Sequence, residues 1–125
     1  MSSEQRIGQL ALEMAEGPVD RLLVYAEVED GVISVDVFYA LLLSEMVRFR
    51  FATPALQQAV YSLWEDARRQ GSQEWRTMAY VVSDGRFTID LQHQDQIKAG
   101  EALHDRRPRV ISKHFGDAKV DYSRP

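Results

Sequence analysis

Apolar residues recur every three to four positions in three segments of the chain, and this period predicts three amphipathic helices. The segments are 3–16, 54–69 and 106–115. Ser2 and Gln5 form a capping-box pattern before the first segment, and Thr53 stands at the N-cap of the second. A weaker helix is predicted over 96–103.

Runs whose residues alternate between two faces predict five strands. The strands are 21–29, 32–39, 46–51, 74–82 and 86–92. Asp-Gly pairs at 30–31 and 84–85 indicate hairpin turns, because tight turns need positive φ angles. Residues 40–45, ALLLSE, fit either a longer strand or a helical turn.

Short links between consecutive predicted strands favour antiparallel pairing. The predicted fold is therefore α+β, with a mainly antiparallel sheet of about five strands and the N-terminal, central and C-terminal helices packed on one face. Residues 1–116 are expected to form the single domain, and residues 117–125 a loosely held tail.

Composition and charge narrow the function classes for these 125 residues. No apolar run reaches the length of about 18 residues that a membrane span needs, and the N-terminus does not resemble a secretory signal. The absence of cysteine excludes thiol chemistry and fits a cytoplasmic location. A net charge of −4 disfavours nucleic acid as a general partner and favours a basic protein.

Candidate chemistry is sparse along the chain. The histidines His93, His104 and His114 are eleven and ten positions apart, and the one close pair, His93 and Asp95, lacks the second ligand pair that a zinc site needs. Nucleotide-binding and nucleophile motifs are absent. We therefore expect no enzyme activity, cofactor or metal. The alternative is a small ligand-binding or metal-binding domain, or an enzyme, that uses His93, Asp95 and His104.

The surface expected to bind a partner is the outward face of the first predicted hairpin. It consists of Tyr25, Glu27, Glu29, Asp30, Asp36 and Phe38. Burying unpaired carboxylates costs several kcal/mol each, so Glu27, Glu29 and Asp36 are expected to be mostly exposed. The two aromatic side chains on this face would supply the anchors of an interface.

Three further features allow two interpretations each. The arginines at 106, 107 and 109 favour a salt-bridged surface with Glu101 and Asp105, and the alternative is a site for phosphate or an acidic partner. Trp64 belongs to a helical stripe and Trp75 opens a strand, so both are expected in the core, and the alternative is that they are binding aromatics. The apolar run 40–43 with Phe38 indicates either a homodimer interface or a buried strand end.

Residues 73–87, QEWRTMAYVVSDGRF, resemble the most recognisable segment of the YezG-like family: a strand led by tryptophan, an Asp-Gly turn and a strand that opens with an aromatic residue. An N-terminal helix ending in Gly-Pro, the hairpin LLVYAEVEDGVISVDVFY and the closing His-Phe-Gly at 114–116 extend the resemblance over about residues 5–116. From Leu91 the chain reads LQHQDQ, where the family tends to show a Tyr-Asp pair. The resemblance implies a non-enzymatic bacterial immunity protein that binds and neutralises a cognate toxin, often a nuclease.

Overall fold

The computed structural model of the chain describes residues 2–29, 31–71, 75–93 and 103–122, with the side chains of 103–105 excepted. Three helices and six strands lie in these ranges. In chain order they are α1 (Ser3–Leu12), β1 (Val19–Glu29), β2 (Val32–Leu41), β3 (Val47–Phe51), α2 (Pro54–Arg69), β4 (Trp75–Ser83), β5 (Arg86–His93), α3 (Leu103–Phe115) and β6 (Val120–Asp121). The predicted α+β class is confirmed. The weaker helix predicted over 96–103 lies almost wholly outside the described residues.

The strands form one sheet in the order β5-β4-β1-β2-β3-β6. All neighbours are antiparallel except β3 and β6, which run parallel. Part of the tail expected to be loose therefore adds a sixth strand, because Val120 pairs with Val47. Among the described residues no helix is long and apolar enough to cross a membrane.

Local sequence signals set the starts of the first two helices. The Ser2 hydroxyl accepts a hydrogen bond from the Gln5 backbone N–H, and the Gln5 side chain accepts one from Ser2 N–H, each at 3.1 Å. Thr53 caps α2 by accepting from Leu56 N–H at 3.2 Å. The bounds predicted for α2 are confirmed, whereas α1 ends at Leu12, before the predicted Glu16.

The larger core lies on the side of the sheet that α1 and α2 cover, here named face A. Ile7 and Ala11 of α1 and Trp64 of α2 pack there on the even-numbered apolar residues of β1. Trp75 belongs to the same cluster, because the register of β4 shifts between Trp75 and Thr77. Both tryptophans are buried, as predicted.

The opposite side of the sheet, here named face B, carries a second and smaller core under α3. Ile111 packs with the strand residues that point to this side. These residues are Leu23, Tyr25, Phe38, Val47, Phe49, Ala79 and Val81. The expectation that all helices lie on one face is therefore wrong: the strands are apolar on both sides, and each side needs a cover.

Candidate protein-binding site

The hairpin surface predicted from the sequence lies on face B. Phe38 is fully buried there, and Tyr25 is 1% exposed. Both belong to the core beneath α3. The prediction that these two aromatic residues point to solvent is wrong, because the third helix covers them.

The acidic residues of this surface have separate environments. The carboxylate of Asp36 accepts a hydrogen bond from Arg107 Nη1 of α3 at 2.8 Å, and its side chain is only 16% exposed. Glu27 is half-buried, Glu29 is exposed as expected, and Asp30 lies outside the described residues. The expected exposure of Asp36 and Glu27 is thus wrong. A cationic partner on the covering helix lowers the penalty for burying Asp36.

The arginine cluster of α3 is tied to the sheet through Arg107. Its guanidinium carbon lies 5.9 Å from the centre of the Phe38 ring, in addition to the ion pair with Asp36. The partners predicted for the cluster, Glu101 and Asp105, are outside the side chains that the structure describes. Arg107 therefore helps to hold α3 on face B.

The alternative ligand site is only partly visible. His93 is half-buried at the end of β5, while Asp95 and the side chain of His104 lie outside the described part of the chain. Within the described ranges, no group of three or more His, Asp or Glu side chains could hold a metal ion. The prediction of a site at His93, Asp95 and His104 stays untested.

A different surface gathers the exposed apolar residues at one end of the sheet. Because neighbouring strands are antiparallel, the C-terminal ends of β2 and β4 lie beside the starts of β1, β3 and β5. This end, with the C-terminus of α1, is named the apolar end. Of the nine large apolar side chains exposed among the described residues, it holds five: Leu12, Leu42, Leu43, Met46 and Phe87.

Three adjoining cavities surround the apolar end. The largest, of about 590 Å³, lies between α1 and the β4–β5 hairpin. A second, of about 370 Å³, shares Leu12, Val82 and Gly85 with it. A third, of about 490 Å³, shares Asp20 with the second and reaches His114. Together they make the surface at this end of the sheet recessed.

Tyr80 lines the largest cavity, and two contacts fix its position. Its ring stacks on Phe87 with the ring centres 5.1 Å apart, and its hydroxyl donates to the Glu4 carbonyl at 2.6 Å. Gly8 allows this approach, because a Cβ at that position would lie 2.5 Å from the Tyr80 hydroxyl. Burial, the largest cause, raises the pKa of Tyr80 above its usual value, so the hydroxyl remains a donor at neutral pH.

The β2–β3 loop projects from the apolar end. Residues 40 and 41 extend β2, so the strand interpretation is correct for the first part of ALLLSE. The chain then turns, with Ser44 N–H bound to the Leu41 carbonyl at 3.1 Å. Leu43 occupies the left-handed region at φ 64°, and its side chain is fully exposed. Phe38, which was grouped with this run, is not part of the exposed patch.

Carboxylates border the apolar end. Glu13, Asp20, Glu45 and Asp84 are exposed there, and Arg86 is an exposed cation among them. The ion pairs found among the described residues do not involve these four acids. Glu16 is different, since it pairs with Arg50 at 2.8 Å. The rim is therefore negative overall.

His114 of α3 lines the third cavity. Arg21 Nη1 donates to the His114 carbonyl at 2.7 Å, which fastens the end of the helix to β1. Burial, followed by the positive charges of Lys113 and Arg21, lowers the pKa of His114, while Asp90 opposes that shift. The imidazole is therefore mainly neutral at pH 7.

Sequence reasoning missed the apolar end as a whole. The run ALLL signalled exposed leucines, but Leu12 and Phe87 fit ordinary amphipathic patterns. Only antiparallel pairing, which places Val19 beside Leu41 and Arg21 beside Ser83, brings these distant segments to one end of the sheet. In comparisons with known proteins, no family model matches this chain and no curated protein matches it.

Proposed function

We propose that this chain is a non-enzymatic protein-binding module of the immunity type, which acts in the bacterial cytoplasm and neutralises a basic toxin. The observation that carries the proposal is the apolar end, where five exposed large apolar side chains and four exposed carboxylates lie at the same end of the sheet. This surface replaces the hairpin surface inferred from the sequence.

Exposed apolar side chains gathered in one place support protein binding. Single exposed leucines are ordinary, but contiguous patches with a polar border are typical of interaction surfaces. Interfaces place apolar anchors at the centre and charged groups at the rim. Leu43 and Phe87 are suitable anchors, and the exposed Glu45 and Asp84 are close to them in the chain.

The charge of the site favours a basic partner. Four exposed carboxylates and two exposed cations, Arg86 and Lys119, lie at this end, and the whole chain carries a net charge of −4. A nuclease presents cationic groups for phosphate, so an acidic inhibitor surface would be attracted to it and would compete with nucleic acid. The resemblance of residues 73–87 to the YezG-like family supports the immunity type.

The test begins with the tagged chain as bait in a lysate of the native organism. We expect a stoichiometric basic protein domain whose expression alone stops growth and whose co-expression with this chain restores it. A neighbouring gene for a large toxin with a variable C-terminal domain would identify the same partner. Recovery of metabolites without a protein, or of a protein that is not toxic, would contradict the proposal.

A pair of charge-reversal substitutions tests whether the partner binds at the apolar end. Replacing Glu45 and Asp84 by lysine should slow association with the purified partner about tenfold or more at low ionic strength. The matched control replaces Glu29 and Asp66, which are exposed elsewhere, and makes the same change in net charge. Since Glu29 belongs to the hairpin surface predicted from the sequence, a stronger effect of the control pair would return the site to that hairpin.

A further inference from the structure

Leu43 is the residue of the apolar end that folding explains least. We propose that Leu43 is the anchor of the interface, and that in the complex its side chain enters an apolar pocket of the partner whose surrounding cations face Asp20, Glu45 and Asp84. The inference rests on the proposed function and adds to it the chemistry of the partner surface.

The backbone of Leu43 favours a different residue. With Ser44 N–H bound to the Leu41 carbonyl, Leu43 is the third residue of a β-turn, at φ 64°. A turn with positive φ at this position normally uses glycine or asparagine, because the Cβ of other residues approaches the following carbonyl oxygen. A leucine is therefore held here in an unfavourable conformation.

The Leu43 side chain does not contribute to the packing of the described residues. It is fully exposed, and its neighbours Leu42 and Met46 are exposed as well. Leu43 belongs to neither core cluster of the described residues. A strained backbone and an apolar side chain in water both disfavour the free protein, so a role outside the chain is the explanation that fits both observations.

The loop is also held in shape. Besides the turn hydrogen bond, Leu42 N–H donates to the Pro18 carbonyl at 3.0 Å, and Met46 N–H donates to the Ser44 hydroxyl at 3.2 Å. These bonds hold the backbone of the loop that carries Leu43. A partner therefore loses little affinity to ordering of the loop, which is what a binding anchor requires.

The charge around Leu43 selects the occupant. In a symmetric dimer the same patch meets itself, so the excess of carboxylates over cations at this end would meet the same excess on the other copy. Like charges across an interface repel, whereas lysine or arginine of a basic partner would pair with the rim. We therefore assign the site to a basic protein rather than to a second copy.

The test measures binding and folding on the same variants. The probe is the purified basic domain captured by the wild-type chain, titrated by calorimetry against Leu43→Ala and Leu43→Asn. We expect Kd to rise at least thirtyfold for both, as for an anchor residue. The unfolding midpoint of Leu43→Asn should stay equal or rise by a few degrees, since asparagine tolerates the left-handed region.

The matched control is Val32→Ala, which truncates an exposed apolar side chain at the opposite end of the β1–β2 hairpin. Its Kd should stay within threefold of the wild type. If the wild type binds and the Leu43 variants bind equally well, this inference fails and the proposed function stands. If the wild-type chain captures no protein partner, both the Leu43 inference and the proposed function fail. A dimer in analytical ultracentrifugation that Leu43→Ala dissociates would assign the site to a second copy and overturn the basic partner.

Discussion

The two faces of the sheet are covered in different ways. On face A, two helices that pack against each other lie over a core of seventeen buried residues. On face B, one helix contributes Ile111 to a core of eight buried residues, and its attachment includes the Asp36–Arg107 ion pair and the hydrogen bond from Arg21 to the His114 carbonyl. Face A is held mainly by apolar packing, whereas face B combines a smaller apolar core with charged contacts.

The difference shows how a strand buried on both sides can be misread. Residues 22–26, LLVYA, are apolar without interruption, which is typical of a central strand covered on both faces. Glu27 and Glu29 follow that run at alternate positions, and this pattern predicted that their side of the hairpin is exposed to solvent. The charges lie toward one end of the strand, and the helix covers the part before them.

The largest effect should come from the aromatic core of face B. Phe38→Ala is expected to lower the free energy of unfolding by about 3 to 5 kcal/mol, because a fully buried ring leaves a cavity. Urea denaturation measures the change. Phe51→Ala is the control, since that ring is 62% exposed and its loss should cost about 1 kcal/mol or less. Equal small losses would mean that α3 does not cover Phe38 in solution.

On face A, the close contact between α1 and β4 should tolerate little added volume. Gly8→Ala brings a Cβ to within 2.5 Å of the Tyr80 hydroxyl, and we expect a net loss of about 1 to 2 kcal/mol despite the better helix propensity of alanine. Tyr80→Phe should relieve the clash in the double mutant. In Gly17→Ala the nearest atom is Leu41 Cδ2 at 3.8 Å, so that control should be close to neutral. A stabilising Gly8→Ala would contradict the packing described.

The ion pair on face B should contribute less than either core. Because the Arg107 side chain is 36% exposed, a double-mutant cycle of Asp36→Ala and Arg107→Ala should give a coupling of about 0.5 to 1.5 kcal/mol. The coupling should fall in 1 M salt, which screens partly exposed charges. A cycle without coupling would mean that apolar packing alone holds α3.

The smallest effect concerns pH and His114. The folded protein lowers the pKa of this imidazole, so the unfolded chain takes up a proton first as pH falls below about 6.5. The free energy of unfolding therefore keeps its full value with respect to His114 above that pH, and it decreases on acidification toward the folded pKa. The unfolding midpoint of His114→Gln should fall less than that of the wild type between pH 7 and 5.5. The same slope in both proteins would assign the acid sensitivity to other groups.

Local signals predicted much of the fold. Capping by Ser2 and Thr53, the extent of α2 and the Asp84-Gly85 turn depend on nearby residues, and the structure confirms each of them. The face of the sheet on which Trp75 lies could not be predicted from nearby residues. A shift of register next to it reverses the alternation and moves the ring from face B to face A.

By itself, the sequence determined the α+β class, the main helices and strands, and the acidic charge, because period, turn chemistry and composition act over a few residues. Tertiary structure decided which face each helix covers, that Asp36 meets Arg107 across 71 positions, and that Leu12, Leu43 and Phe87 lie at one end. These outcomes depend on contacts between segments distant along the chain. A pattern read within each segment contains no information on which distant segment will cover it.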